Sequence, residues 1–111
     1  MAEPLDRKAA RRAWKERRVR AGIYAVRHRT SGQAWAGAAQ DLDTTRNGLW
    51  HTLEDGRHLD RDLQAAWDRW GAGAFDYQIL EVLPDDLTPL VLRETLKERR
   101  AAWAGRLAEG R

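Results

Sequence analysis

Gly22-Ile23-Tyr24 and Trp35-Ala36-Gly37 lie in two apolar runs about a turn apart, and Arg46, His58 and Glu94 are strung out behind them. Each of these residue types has a part to play in cutting a phosphodiester. A tyrosine can deprotonate or orient water, an arginine neutralises a phosphate, a histidine donates or relays a proton, and a glutamate holds a divalent metal. The chemistry depends on a fold that gathers side chains far apart in the sequence.

The elements that must do the gathering alternate in type. Asp6 is a plausible cap for a helix running to about Arg18, with Pro4 ahead of it and no breaker inside. Residues 22–28 and 33–39 read as strands joined by the turn Arg29-Thr30-Ser31-Gly32, a hairpin. Asp41, Asp43 or Thr44 can cap a short helix ending near Gly56, with Gly48 inside it. Leu59, Leu63, Ala66, Trp67 and Trp70 have the spacing of one helical face, which Gly71 ends. Residues 75–83 read as a third strand, with Phe75, Tyr77 and Ile79 on one face and Leu80 and Val82 on the other. A last helix spans about Leu87 to Leu107, its Pro89 accommodated in the first turn. Two strands, a helical middle, a strand and a closing helix make a small α/β domain.

With 111 residues the chain has room for one core, to which six tryptophans contribute. The absence of cysteine excludes disulfides, thiolate metal sites and thiol nucleophiles. No run approaches the roughly 20 apolar residues of a membrane span, and the N-terminus is charged where a secretory signal is apolar, so a cytoplasmic location is expected. The net charge of +3 hides an asymmetry: residues 1–20 hold eight bases against three acids, a net of +5, and the remainder carries −2. Arginine in that density, around the single aromatic Trp14, suits an arm that contacts a polyanion. A solvated helix docking Ala10, Ala13 and Trp14 on the domain is the plainer alternative.

Leu87, Leu90, Val91 and Glu94 stand at i, i+3, i+4 and i+7, so the spacing predicts Glu94 on the face of the last helix that meets the sheet. A carboxylate there must be paired, protonated or bound to metal, since an unpaired buried charge costs several kcal/mol. A salt bridge to Arg93 or Lys97 at the helix edge satisfies the same spacing.

The ordered set Gly22-Ile23-Tyr24, Trp35-Ala36-Gly37, Arg46, Gly56-Arg57-His58, Leu63-Gln64-Ala65-Ala66-Trp67, Gly71, Phe75 and Ile79-Leu80-Glu81 resembles the GIY-YIG nuclease domain family, over about Gly22 to Trp103. The short form with a basic leading helix is similar to small stand-alone bacterial members. The resemblance implies a small three-stranded antiparallel sheet flanked by helices (residues 21–108) behind a basic N-terminal helix (residues 1–20). It implies metal-dependent hydrolysis of DNA, with Mg2+ or Mn2+ as cofactor. Tyr24 matches the tyrosine that activates or accepts a proton from water, and Trp35 stands where the second tyrosine should be. Arg46 matches the arginine that grips the scissile phosphate, His58 a histidine that assists there, and Glu94 the metal ligand. Arg27 or Arg46 would supply a cation to lower the tyrosine pKa, while His28 and His51 read as surface residues. Many members carry an asparagine after the metal-binding helix, whereas the single asparagine of this chain is Asn47.

The expected activity is that of a DNA endonuclease of low sequence specificity, with Arg11, Arg12, Lys15, Arg18 and Arg27 on the DNA backbone. Two alternatives stand beside it. One is a degenerate domain that binds DNA without cutting, with Trp35 and the missing asparagine as its signature. The other is a protein-interaction module in which Trp50, Trp67, Trp70 or Trp103 forms a homodimer face.

Overall fold

The structure is a computed structural model that describes residues 19–109. The basic helix expected over residues 1–20, with Arg11, Arg12, Lys15 and Arg18, therefore lies almost wholly outside the described residues. Three strands, β1 (Gly22–His28), β2 (Ala34–Ala39) and β3 (Phe75–Val82), form an antiparallel sheet in the order β2-β1-β3. Helices α1 (Leu42–Glu54) and α2 (Arg61–Trp70) fall between β2 and β3, and α3 (Pro89–Glu109) closes the chain. This is the expected α/β architecture of a small antiparallel sheet flanked by helices.

Strand alternation divides the molecule into two cores. On one face of the sheet, Val26, Trp35 and Phe75 meet Leu49 and Leu53 of α1 and Leu63, Ala66 and Trp67 of α2. On the other, Ile23 packs with Leu83 and with Leu96 of α3, while Ala36, Ala38, Leu80, Leu92 and Trp103 fill the margins. A register shift between Ile23 and Tyr24, which pair with Glu81 and Ile79, leaves Leu80 as the extra residue of β3. Such a bulge turns Leu80 and Glu81 together toward α3. The Glu81 carboxylate then accepts from Trp103 Nε1 at 2.8 Å and Arg99 Nε at 2.9 Å, an ionic tie between β3 and α3.

Capping fixes the helix starts. Asp41 Oδ1 accepts from the backbone N–H of Asp43 and Thr44, and Asp60 Oδ1 from Asp62 and Leu63. Because Asp60 is the cap, α2 begins at Arg61, and Leu59 falls outside the helix at 97% exposure instead of on its buried face. Gly71 has φ 84°, in the region that favours glycine, and ends α2 as expected.

Among the described residues, the four tryptophans named for a homodimer face all make contacts within the fold. Trp67 is buried, Trp50 packs edge-on against it, and Trp103 is tied to Glu81. Trp70, 41% exposed, stacks on His28 with centroids 4.1 Å apart. His28, expected at the surface, is buried: it stacks on Trp70, meets the Phe75 ring at a tilt and bonds Ser31 Oγ through Nδ1 at 2.7 Å. His51 is exposed, as expected.

Candidate active site

Tyr24 sits at the centre of the middle strand, directly opposite Gly37 on β2. Its ring lies across Gly37 so closely that a Cβ there would overlap the phenol carbon and hydroxyl. The other face of the ring stacks on Tyr77 with centroids 5.2 Å apart, and the Tyr77 hydroxyl is held by the Leu42 carbonyl at 2.9 Å. Gly37 and Tyr77 thus clamp Tyr24 in one orientation. Gly22 has a comparable role at the strand's start, where a Cβ would overlap the Glu81 carbonyl.

A cleft of about 430 Å³ opens beside Tyr24, lined by Trp35 and Gly37 of β2, by His58 and Asp60 of the loop before α2, and by Arg100 of α3. Tyr24 and His58 also border a second hollow of about 470 Å³, against Thr45 and Thr52 of α1 and Arg57. The two residues form the ridge between these hollows.

His58 is positioned by a network that spans both helices. Its backbone N–H donates to Gln64 Oε1 at 3.0 Å, and Gln64 Nε2 donates to the Leu53 carbonyl and to Asp68, each at 2.9 Å. Gln64 is buried, so its three bonds pin the end of α1, the His58 loop and α2 together. The Asp60 N–H donates to His58 Nδ1 at 3.0 Å, which leaves the proton of the neutral ring on Nε2. His58 is therefore a donor at its free nitrogen.

Burial pushes the Tyr24 hydroxyl above its ordinary value, and the charge of Arg100 draws it partly back. At neutral pH Tyr24 keeps its proton and donates. The cation that acts on it is Arg100, in place of Arg27 or Arg46. Arg27 alternates onto the opposite sheet face. Arg46 projects from the outer side of α1, its guanidinium 5.2 Å from the Trp50 ring centroid, in a separate hollow with Asn47, His51 and Glu54.

The expected position of Glu94 is corrected. The face of α3 that meets the sheet is Leu92, Leu96, Arg99 and Trp103, not Leu90, Val91 and Glu94, while Leu87, ahead of the helix, packs against the same core as expected. Glu94 lies two residues from both Leu92 and Leu96, about 200° round the helix, and is exposed, as are Leu90 and Val91. The helix starts at Pro89 and Glu81 draws in Arg99 and Trp103, which sets this rotation. Asp60 is the carboxylate that borders the cleft, and its Oδ1 already accepts two backbone N–H groups at a helix N-terminus, where a cation is disfavoured. No group of three or more His, Asp or Glu gathers among the described residues. Among the described residues, the one carboxylate lining the cleft beside Tyr24 is therefore Asp60.

Of the expected site residues, the fold brings together Tyr24, Trp35 and His58. Trp35 lines the cleft while belonging to the buried core against Phe75. Thr45, Asp60, Gln64 and Arg100 join the site without having been singled out by type. Only Gln64 carried a signal, within the Leu63-Gln64 stretch of the resemblance.

No family model and no curated protein matches the chain. Two solved structures do: a glutamate-to-alanine variant of the catalytic domain of intron endonuclease I-TevI, and the catalytic domain of homing endonuclease I-TevI. The first is 25% identical, with a TM-score of 0.68, over 80% of this chain and 84% of that one. The second is 25% identical, with a TM-score of 0.68, over 79% of this chain and 88% of that one. The I-TevI catalytic domain is a GIY-YIG nuclease, and the fold of this chain is similar to it.

Proposed function

We propose that this chain, which has the fold of the GIY-YIG nuclease domain, hydrolyses phosphodiester bonds of DNA. The observation that carries the reading is Tyr24, clamped between Gly37 and Tyr77 and facing a cleft shared with His58 and Arg100, in a fold similar to an endonuclease catalytic domain.

The cleft is rich in donors. The Tyr24 hydroxyl, His58 Nε2–H and the Arg100 guanidinium border one space, an arrangement that holds a phosphate and offsets the charge that grows on it in the transition state. In hydrolysis the oxygen of water bonds to phosphorus as the ester bond breaks. The proton of that water passes to an acceptor, for which the Asp60 carboxylate borders the cleft, and the leaving oxygen takes a proton from the Tyr24 hydroxyl while His58 Nε2–H donates a hydrogen bond to the phosphate. Low sequence specificity is proposed because phosphate contacts position DNA without reading it.

Magnesium, with Glu94 as ligand, remains the expectation of the resemblance, and the outward position of Glu94 is what argues against it. A second reading, binding without cutting, is favoured by that same position and by Arg46 stacked over Trp50 away from the cleft. Plasmid, branched and single-stranded DNA incubated with magnesium, with manganese and with EDTA separates these possibilities. Cleavage that survives EDTA and Glu94→Gln supports the donor cleft alone. Cleavage that both abolish restores the metal role of Glu94, and salt-sensitive binding with no cleavage supports the second reading.

A further inference from the structure

Most arginines in the described residues have structural partners: Arg20 with Asp43, Arg29 with Asp76, Arg57 with Asp55 and Arg99 with Glu81. Arg46, Arg69 and Arg106 lie over tryptophan rings. Arg93, Lys97 and Arg100 have neither a carboxylate nor a ring partner among the described residues, and all three are exposed. They stand at i, i+4 and i+7 on α3, a single face of that helix.

That face has a direction. Its C-terminal member, Arg100, lines the cleft beside Tyr24, His58 and Gly37. The acids of the same segment, Glu94 and Glu98, fall on another side of the helix, also at i, i+4 spacing. One flank of α3 is thus positive and ends at the cleft, and another is negative. From Arg93 to Arg100 the helix rises about 10 Å, close to the axial rise of three nucleotides at about 3.4 Å each.

We propose that Arg93, Lys97 and Arg100 are the phosphate-contacting surface for double-stranded DNA, one strand of which runs along α3 and enters the cleft at Arg100. This rests on the nuclease reading above and deepens it: the acidic flank repels the backbone, the basic flank attracts it, and the pair fixes which side of α3 faces DNA. Each cation that neutralises a phosphate releases counterions, so each contributes a slope of about 0.9 to the fall of log affinity with log salt. Because the three cations have no carboxylate or ring partner among the described residues, their removal should leave folding intact.

The test is binding of the full chain to a fluorescent DNA duplex between 50 and 200 mM salt, for the wild type, Arg93→Ala, Lys97→Ala, Arg100→Ala and the control Arg69→Ala. Over that fourfold rise in salt, each stripe variant should lose affinity about threefold less than the wild type does. Arg69→Ala should keep the wild-type slope, and all variants should unfold at the wild-type temperature. Unchanged slopes in all three stripe variants, with the wild type still binding in a salt-dependent way, overturn the stripe and leave the nuclease reading standing. A wild type that shows no salt-dependent binding overturns the nuclease reading itself.

Discussion

Gly37 is where the chemistry of the site depends on the absence of an atom. Tyr24 occupies the space of a Cβ at that position, so Gly37→Ala must displace the ring or separate the strands. Overpacking of this kind costs about 1–3 kcal/mol. The variant should show that loss in urea unfolding and a larger fractional loss of DNA cleavage. The tyrosine pair also sets an alkaline limit on stability. Burial raises both hydroxyls, Tyr77 to about 12, so each stays neutral in the native state at a pH where the unfolded chain ionises. A raised native pKa gives stability that is complete below the unfolded value of about 10 and is lost as pH rises toward about 12. Unfolding free energy measured across pH 9 to 12 should fall over that window, and the fall should be shallower in Tyr77→Phe. At this scale the sequence shows residue types better than directions. Tyr24, Trp35 and His58 were picked out by the resemblance, and the fold sets all three on one cleft. Arg46 and Glu94 lie on exposed helix faces, where a rotation of one residue moves a side chain by about 100° and tertiary contacts decide the outcome.

The elements themselves were largely written in the local pattern. All three strands fall within a residue of their expected limits, since alternating apolar residues between Gly, Pro and Asp breakers specify both type and end. The start of α2 was misplaced by the apolar Leu59, because hydrophobic periodicity does not distinguish a helical residue from one just before the cap. The face of α3 was misassigned because its apolar positions are too scattered to define a stripe, and an ionic tie made by the β3 bulge selects the rotation. That tie has a measurable consequence. Bonds from Trp103, then Arg99, hold the Glu81 carboxyl below its ordinary value. A depressed native pKa gives stability that is present above the unfolded value of about 4.3 and is lost as pH falls through the native one. Stability should therefore decline below about pH 4.3, and Glu81→Gln should flatten that decline. Trp103→Phe, which removes a donor to a charged acceptor partly open to water, should cost roughly 1.5 kcal/mol in chemical unfolding.

At the scale of the whole molecule, the sheet separates two cores of unequal size. Among the described residues, the core under α1 and α2 holds eight buried residues and that under α3 holds three. Regions with fewer buried apolar contacts open first, so amides of α3 should exchange with deuterium before those of β1. Tyr24 and His58 lie on the larger core's side, while Arg100 reaches the cleft from α3, so amides around Arg100 should exchange before those around Tyr24. The composition, with its two charge halves, pointed to DNA through residues 1–20, whereas the described residues carry a second cationic surface on α3. Composition counts charges and is blind to which of them a partner in the fold has already engaged.

The measurement closest to the central claim is nicking of supercoiled plasmid by the wild type and by Tyr24→Phe, with thermal unfolding of both alongside. The phenyl ring keeps the stack on Tyr77 and the contact with Gly37, so only the hydroxyl is lost. The account predicts that Tyr24→Phe unfolds within a few degrees of the wild type, binds plasmid with the same salt dependence and nicks at least a hundredfold more slowly, on the order of what positioned proton donors contribute. Nicking at the wild-type rate by folded Tyr24→Phe would contradict it.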